Sequence, residues 1–220
     1  MIRKTILTAM AVAVAAATAS AQNARVEISG TAGWTFSDGV SSGSDDIGND
    51  FARIDPEDSF SWGARIGFLA TENVEVGALF GMQSTKLVLS GAGESLDFGD
   101  ETIYNYHGYF AYNFLDADSK VRPYFLGGLG ATQYGTVKVD LFGVQRDVEG
   151  TTKFSSTWAV GLKLYPSETV GIRLEGRWTP TYIKSDAEGW WCDPYWGCYT
   201  VGDAQYANQF ELSAGINLRF

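Results

Sequence analysis

The chain has 220 residues, room for one β domain of ordinary size, and a formal net charge of −10 with a single histidine. That balance weighs against a nucleic-acid partner, which needs a basic face. Aromatics at 14% and 26 glycines against five prolines suit strands with tight bends and girdle residues.

The first residues read as a secretory signal peptide over 1–21. Arg3 and Lys4 precede an apolar run from Ile6 to Ala17, and Ala19-Ser20-Ala21 forms an A-x-A cleavage site before Gln22. The run is shorter than the roughly 20 residues a spanning helix needs. Losing Arg3 and Lys4 and no acid moves the formal charge from −10 to −12. No later stretch approaches a spanning helix, so residues 22–220 can sit in a membrane only as a closed barrel. Export also makes a disulfide the default for the two cysteines, Cys192 and Cys198.

From Val26 onward apolar and polar residues alternate with the period of a strand. Strand one sets Ile28, Trp34 and Phe36 against Glu27, Ser29 and Thr35, and a loop rich in Gly, Ser and Asp follows over 37–58. Strand two, about Ser59–Ala70, and strand three, about Val74–Leu89, flank the tight turn Thr71-Glu72-Asn73. A second polar loop is expected over Ser90–Glu101. Strand four (Thr102–Phe114) and strand five (Arg122–Lys138) flank a short polar turn, and an acidic loop, Val139–Thr151, follows. Strand six (Thr152–Tyr165) and strand seven (Thr169–Lys184) flank Pro166-Ser167-Glu168. A fourth long loop, Ser185–Asn208, holds both cysteines. Strand eight, Gln209–Phe220, alternates most strictly of all.

Eight segments joined by connections that run long, short, long, short predict an all-β fold, an eight-stranded antiparallel up-and-down transmembrane β-barrel. Short turns then face the periplasm, long loops face outward, and the strands reach the 9–11 residues that cross a tilted span. A soluble periplasmic barrel is the alternative, because a core face and a lipid face read alike.

The signal peptide, the eight segments, the stretch Arg122-Pro123-Tyr124-Phe125-Leu126-Gly127-Gly128-Leu129-Gly130 and the terminal Arg219-Phe220 resemble the small outer-membrane β-barrel proteins of Gram-negative bacteria, the OmpA-like and OmpX-like eight-stranded barrels. The resemblance implies location in the outer membrane, contact with its lipid, and a terminal signal, Ile216, Leu218 and Phe220, read by the barrel-insertion machinery. Many relatives carry a peptidoglycan-binding domain after the barrel. Nothing follows Phe220 here, so no tether to the cell wall is expected.

The polar faces carry Glu27, Glu75, Glu175 and Glu211 with Arg65, Lys163, Arg173, Arg177 and Arg219. Eight strands leave a lumen only wide enough for side chains to fill, so these charges are expected to interlock as a plug. A narrow or gated ion path is the competing reading. His107 would face the lumen on strand four. As a lipid A-modifying catalyst it would need a serine within reach and a carboxylate on its ring, and Ser156 or Ser213 is no more than a guess.

Cys192-x5-Cys198 lacks the ligand number and spacing of zinc, so no metal or cofactor is expected, and the disulfide would fix the tip of loop four. Around it Trp190, Trp191, Tyr195, Trp196 and Tyr199 form either an interfacial girdle or a sticky interaction surface. The acids of the first loop, Asp38, Asp45, Asp46, Asp50, Asp55, Glu57 and Asp58, serve solubility or capture a divalent cation, although no calcium-loop register is present. The expected protein is a monomer without enzymatic activity that serves envelope integrity or surface interaction, its surface ligand unnamed by the sequence.

Overall fold

The alternation builds a wall. The computed structural model describes residues 26–38, 40–41, 53–91, 94–141, 144–148, 150–183, 191–193, 197–199 and 205–220. Eight long strands make the barrel: β1 (Val26–Asp38), β2 (Ser59–Leu69), β3 (Val74–Gly91), β4 (Glu94–Asn113), β5 (Val121–Tyr134), β6 (Thr152–Leu164), β7 (Val170–Ile183) and β8 (Gln205–Arg219). Each pairs antiparallel with its neighbours in sequence, and β1 pairs with β8, so the sheet has no open edge along its length. Closure satisfies every backbone group of the wall internally, as lipid requires.

The register also sets the tilt. Starting at Val26, the pairing runs through Phe68, Val76, Phe110, Gly127, Trp158, Trp178 and Phe210, and returns to β1 at Phe36, ten residues further along. That stagger inclines the strands to the barrel axis by roughly 40°. All but Gly127 on this circuit carry apolar side chains, and they look outward.

Burial is inverted relative to a soluble domain. The exterior presents Trp34, Phe60, Trp62, Phe110, Phe125, Trp158, Trp178, Phe210 and Leu212 to the surroundings. Near the outward end the indole N–H groups of Trp158 and Trp178 donate to Ser156 Oγ (3.2 Å) and Asn208 Oδ1 (3.1 Å), the amphipathic seating of an interfacial girdle. The interior holds most of the buried charge, with a small apolar cluster of Leu79, Ala111, Leu126 and Ala159 beside Tyr109 and Tyr124. The seam is tight enough that a Cβ at Gly130 would strike the Tyr106 carbonyl and His107 Cα, so only glycine fits there.

The outward end departs from expectation. The second long loop is largely strand: β3 and β4 keep pairing beyond the wall to Gly91 and Glu94. A bulge interrupts that extension, where Leu87 faces Gly99 and Val88 faces Asp97, leaving Phe98 as the extra residue. Gly99 takes φ 142°, which a side chain would resist. Polar composition suggested a loop there because strands standing in water need no lipid face. Arg53–Pro56 adds to the β3 extension, and Val40–Ser41 adds to that segment. The acidic third loop carries a hairpin, Val137–Leu141 with Val144–Val148. The strand boundaries otherwise lie within a few residues of those expected, with β8 starting at Gln205 and β5 ending at Tyr134.

Candidate functional site

The structure turns Glu27, Arg65, Glu75, Lys163, Arg173, Glu175, Arg177, Glu211 and Arg219 inward and buries all of them. Their strand positions sort them by depth. Glu27, near the start of β1, is the hub of the lower lumen. Its carboxylate accepts from Lys163 Nζ (2.6 Å), Arg219 Nη2 (2.8 Å), Tyr165 OH (2.9 Å) and Asn217 Nδ2 (3.2 Å), with Arg173 Nη2 at 3.7 Å. Lys163 also donates to Glu75 (2.5 Å), which accepts from Tyr109 OH at 2.6 Å. One turn of register higher, Glu175 pairs with Arg65 and accepts from Tyr124 OH. Higher still Arg177 pairs with Glu211, which Ser61 Oγ also reaches at 3.2 Å.

Three tyrosines complete the lower network. Tyr124 lies under both Lys163 and Arg173, at 5.5 and 5.1 Å from the ring centre, and Tyr165 lies under Arg219 at 4.0 Å. Such stacking adds attraction between cation and ring in a desolvated place. Sequence reasoning missed Tyr109, Tyr124 and Tyr165. The signal was present: Tyr109 and Tyr124 fall out of phase with the outward Phe110 and Phe125 beside them. Arg122, fully buried, was read only as part of a motif. It reaches the carbonyls of Glu72 (2.5 Å) and Leu115 (3.4 Å) in the periplasmic turns.

Above Arg177–Glu211 the lumen turns mainly to neutral side chains, with the buried carboxyl of Glu101 the exception among the described residues. Gln209 Nε2 donates to Gln83 Oε1 (2.8 Å), Asn105 Nδ2 donates to Gln209 Oε1 (3.2 Å), and the Thr132 hydroxyl lies 2.7 Å from Asn105 Oδ1. Thr181 donates to Thr132, which contacts Ser155. Between the ion pair and the amides is a void of about 10 Å³ bordered by Thr35, Ser61, Asn105 and Thr179, about the room one water needs.

His107 faces this neutral layer. Its Nε2 lies 2.9 Å from Ser155 Oγ, and its Nδ1, buried, meets no acceptor. Neither guessed serine is the partner: Ser156 stands on the outer face under Trp158, and the buried Ser213 hydroxyl bonds to nothing described. The adjacent Ser155 has the inward parity that Ser156 lacks. Among the described residues no group of His, Cys, Asp and Glu is placed to hold a metal ion.

Of the loop residues, the backbone sets Cys192 opposite Cys198 and Trp191 opposite Tyr199 in a short hairpin, Trp191–Asp193 with Gly197–Tyr199. Trp190, Tyr195, Trp196, the acids Asp45, Asp46 and Asp50, and residues 1–21 lie outside the described residues. Asp38, Glu57 and Asp58 are exposed, and Asp58 accepts from the Ser37 amide at 3.0 Å. At the other end Ile216, Leu218 and Phe220 point outward, while the Phe220 backbone exchanges hydrogen bonds of 2.9 and 3.1 Å with Val26.

Solved structures share this architecture. The chain is similar to Neisserial surface protein A at a TM-score of 0.53 and 17% identity, covering 90% of this chain and all of that one. It is similar to the outer membrane protein OprG of Pseudomonas aeruginosa at a TM-score of 0.58 and 11% identity, covering 90% of this chain and 95% of that one. At such identities the likeness speaks for the fold. No curated protein matches the chain. The pattern of the outer membrane protein beta-barrel domain matches residues 5–220, nearly the whole sequence. With the inverted burial and the closed eight-stranded sheet, that match makes the chain a member of the outer membrane protein beta-barrel domain family, located in the cell outer membrane.

Proposed function

We propose that this outer-membrane barrel is a closed, non-enzymatic body that serves envelope integrity or surface interaction through its outward loops. The observation that carries the reading is the filled lumen, where Glu27, Glu75, Glu175 and Glu211 are each engaged by at least one cation across the bore. A path for ions would have to break several of these pairs at once, leaving charges without partners in a poorly solvated space. His107 supports a non-catalytic role, since a nucleophile–base pair needs a third group to orient the imidazole and Nδ1 has none.

The test is electrical. The refolded chain, shown to be inserted in planar bilayers, is expected to give no steady conductance. Ion-selective steps altered by Glu175→Gln would replace this reading with a narrow channel. A role at the surface is tested separately by excising residues 190–199 and measuring adhesion of whole cells, which is expected to fall while barrel assembly continues.

A further inference from the structure

The lower half of the lumen does not balance electrically. It buries three carboxylates, Glu27, Glu75 and Glu175, against five cations, Arg65, Arg122, Lys163, Arg173 and Arg219. Lys163 is clasped between Glu27 and Glu75, and arginine keeps its proton in proteins, so two positive charges are left over. Buried charge of one sign is costly unless something compensates it.

The excess has an address. Arg122 is completely enclosed and, among the described residues, makes no ion pair; its hydrogen bonds to them come from Nη2, to turn carbonyls. Its Nε and Nη1 donors, equally enclosed, meet no acceptor among the described residues. The periplasmic turn beside it holds it in place. Leu115 holds φ 67°, a left-handed conformation that a leucine adopts only under constraint, and its carbonyl accepts from both Arg122 and Asn73 Nδ2 (3.0 Å). Arg219 reaches the same turn through Nη1 to the Ala117 carbonyl at 3.1 Å. Two guanidiniums are thus fixed against one turn, with a single carboxylate, Glu27, on Arg219 and, among the described residues, none on Arg122. The acids of these turns, Glu72, Asp116 and Asp118, are exposed, and none pairs with Arg122.

We propose that Arg122 forms a binding site for a small inorganic anion, a halide or phosphate, at the periplasmic floor of the barrel. The anion would accept from the free Nε and Nη1 donors and offset the surplus charge, charge-assisted bonds being the strong class. The site lies outside the ion-pair plug and does not require the lumen to conduct.

Chloride is the probe. With the folded full chain in lipid nanodiscs, the chlorine-35 resonance of added chloride should broaden beyond that of empty nanodiscs, and phosphate should compete the broadening away. Arg122→Gln is expected to lower the excess about threefold or more, whereas Lys120→Gln, an exposed cation beside the site, should leave it in place. No excess broadening, or equal broadening in Arg122→Gln, overturns the proposal. Should Arg122→Gln fail to give the folded, heat-modifiable gel band, wild-type crystals soaked in bromide decide the matter. An anomalous peak within hydrogen-bond distance of Arg122 Nε or Nη1 supports the site, and its absence removes it.

Discussion

The two halves of the lumen are held by different means. Below the Arg177–Glu211 pair, carboxylates and cations from β1, β2, β3, β6, β7 and β8 converge, with Glu27 alone engaged by Lys163, Arg219, Tyr165 and Asn217. Above it, amides and hydroxyls pass hydrogen bonds from Gln83 through Gln209 and Asn105 to Thr132 and Thr181. Both halves fill the same bore, yet they differ in what a single loss leaves behind. Removing one partner of a buried ion pair strands a charge, while removing one neutral partner strands a dipole. The lower half should therefore be brittle and the upper half forgiving.

The sharpest break comes at the hub. Glu27→Gln leaves Lys163, Arg173 and Arg219 short of their shared counter-ion, and the urea midpoint of the chain in lipid vesicles should drop by an equivalent of about 3–5 kcal/mol. At the boundary Arg177→Met should cost about 3 kcal/mol by orphaning Glu211. Adding Glu211→Leu should recover most of it, since an apolar pair of similar size replaces a buried ion pair at little cost. If the double variant is no better than the single, the ion pair matters for more than charge neutrality. In the upper half Gln209→Leu takes one partner from Gln83 and one from Asn105, and about 1–2 kcal/mol is expected on the same curve. The smallest effect belongs outside the bore. Cys192→Ser should leave the barrel midpoint within about 0.5 kcal/mol while making loop four a faster target for added protease. A large drop in the midpoint would mean that the loop hairpin braces the wall.

Much of this was legible in the sequence because lipid imposes a strict rule. Outward positions within the membrane are mostly apolar, so the eight segments and the inward parity of nine charged residues could be read from alternation alone. The same rule hid the tyrosines. Aromatics are so common on the outer face that Tyr109 and Tyr124 drew no separate reading, though a hydroxyl that bonds Glu75 or Glu175 belongs inside. Beyond the membrane the rule lapses, and the paired stretch around the Gly99 bulge, rich in Gly, Ser, Asp and Glu on its second strand, had no alternation to betray it. Pairing across the bore was illegible for a different reason. Lys163 and Glu27 stand 136 residues apart, and only the register of the closed sheet brings them together.

The seam between β1 and β8 makes the barrel a structure that cannot be finished early. Val26 and Phe220 close on each other, and the bonds that tie Arg219 to Glu27 span 192 residues of chain. Until the last strand arrives, Glu27 lacks Arg219 and Asn217 and both flanking strands show bare edges, so no partial barrel is a safe resting state. Assembly must wait for the whole chain, and the rate of entry into the membrane should be governed by that single longest-range encounter.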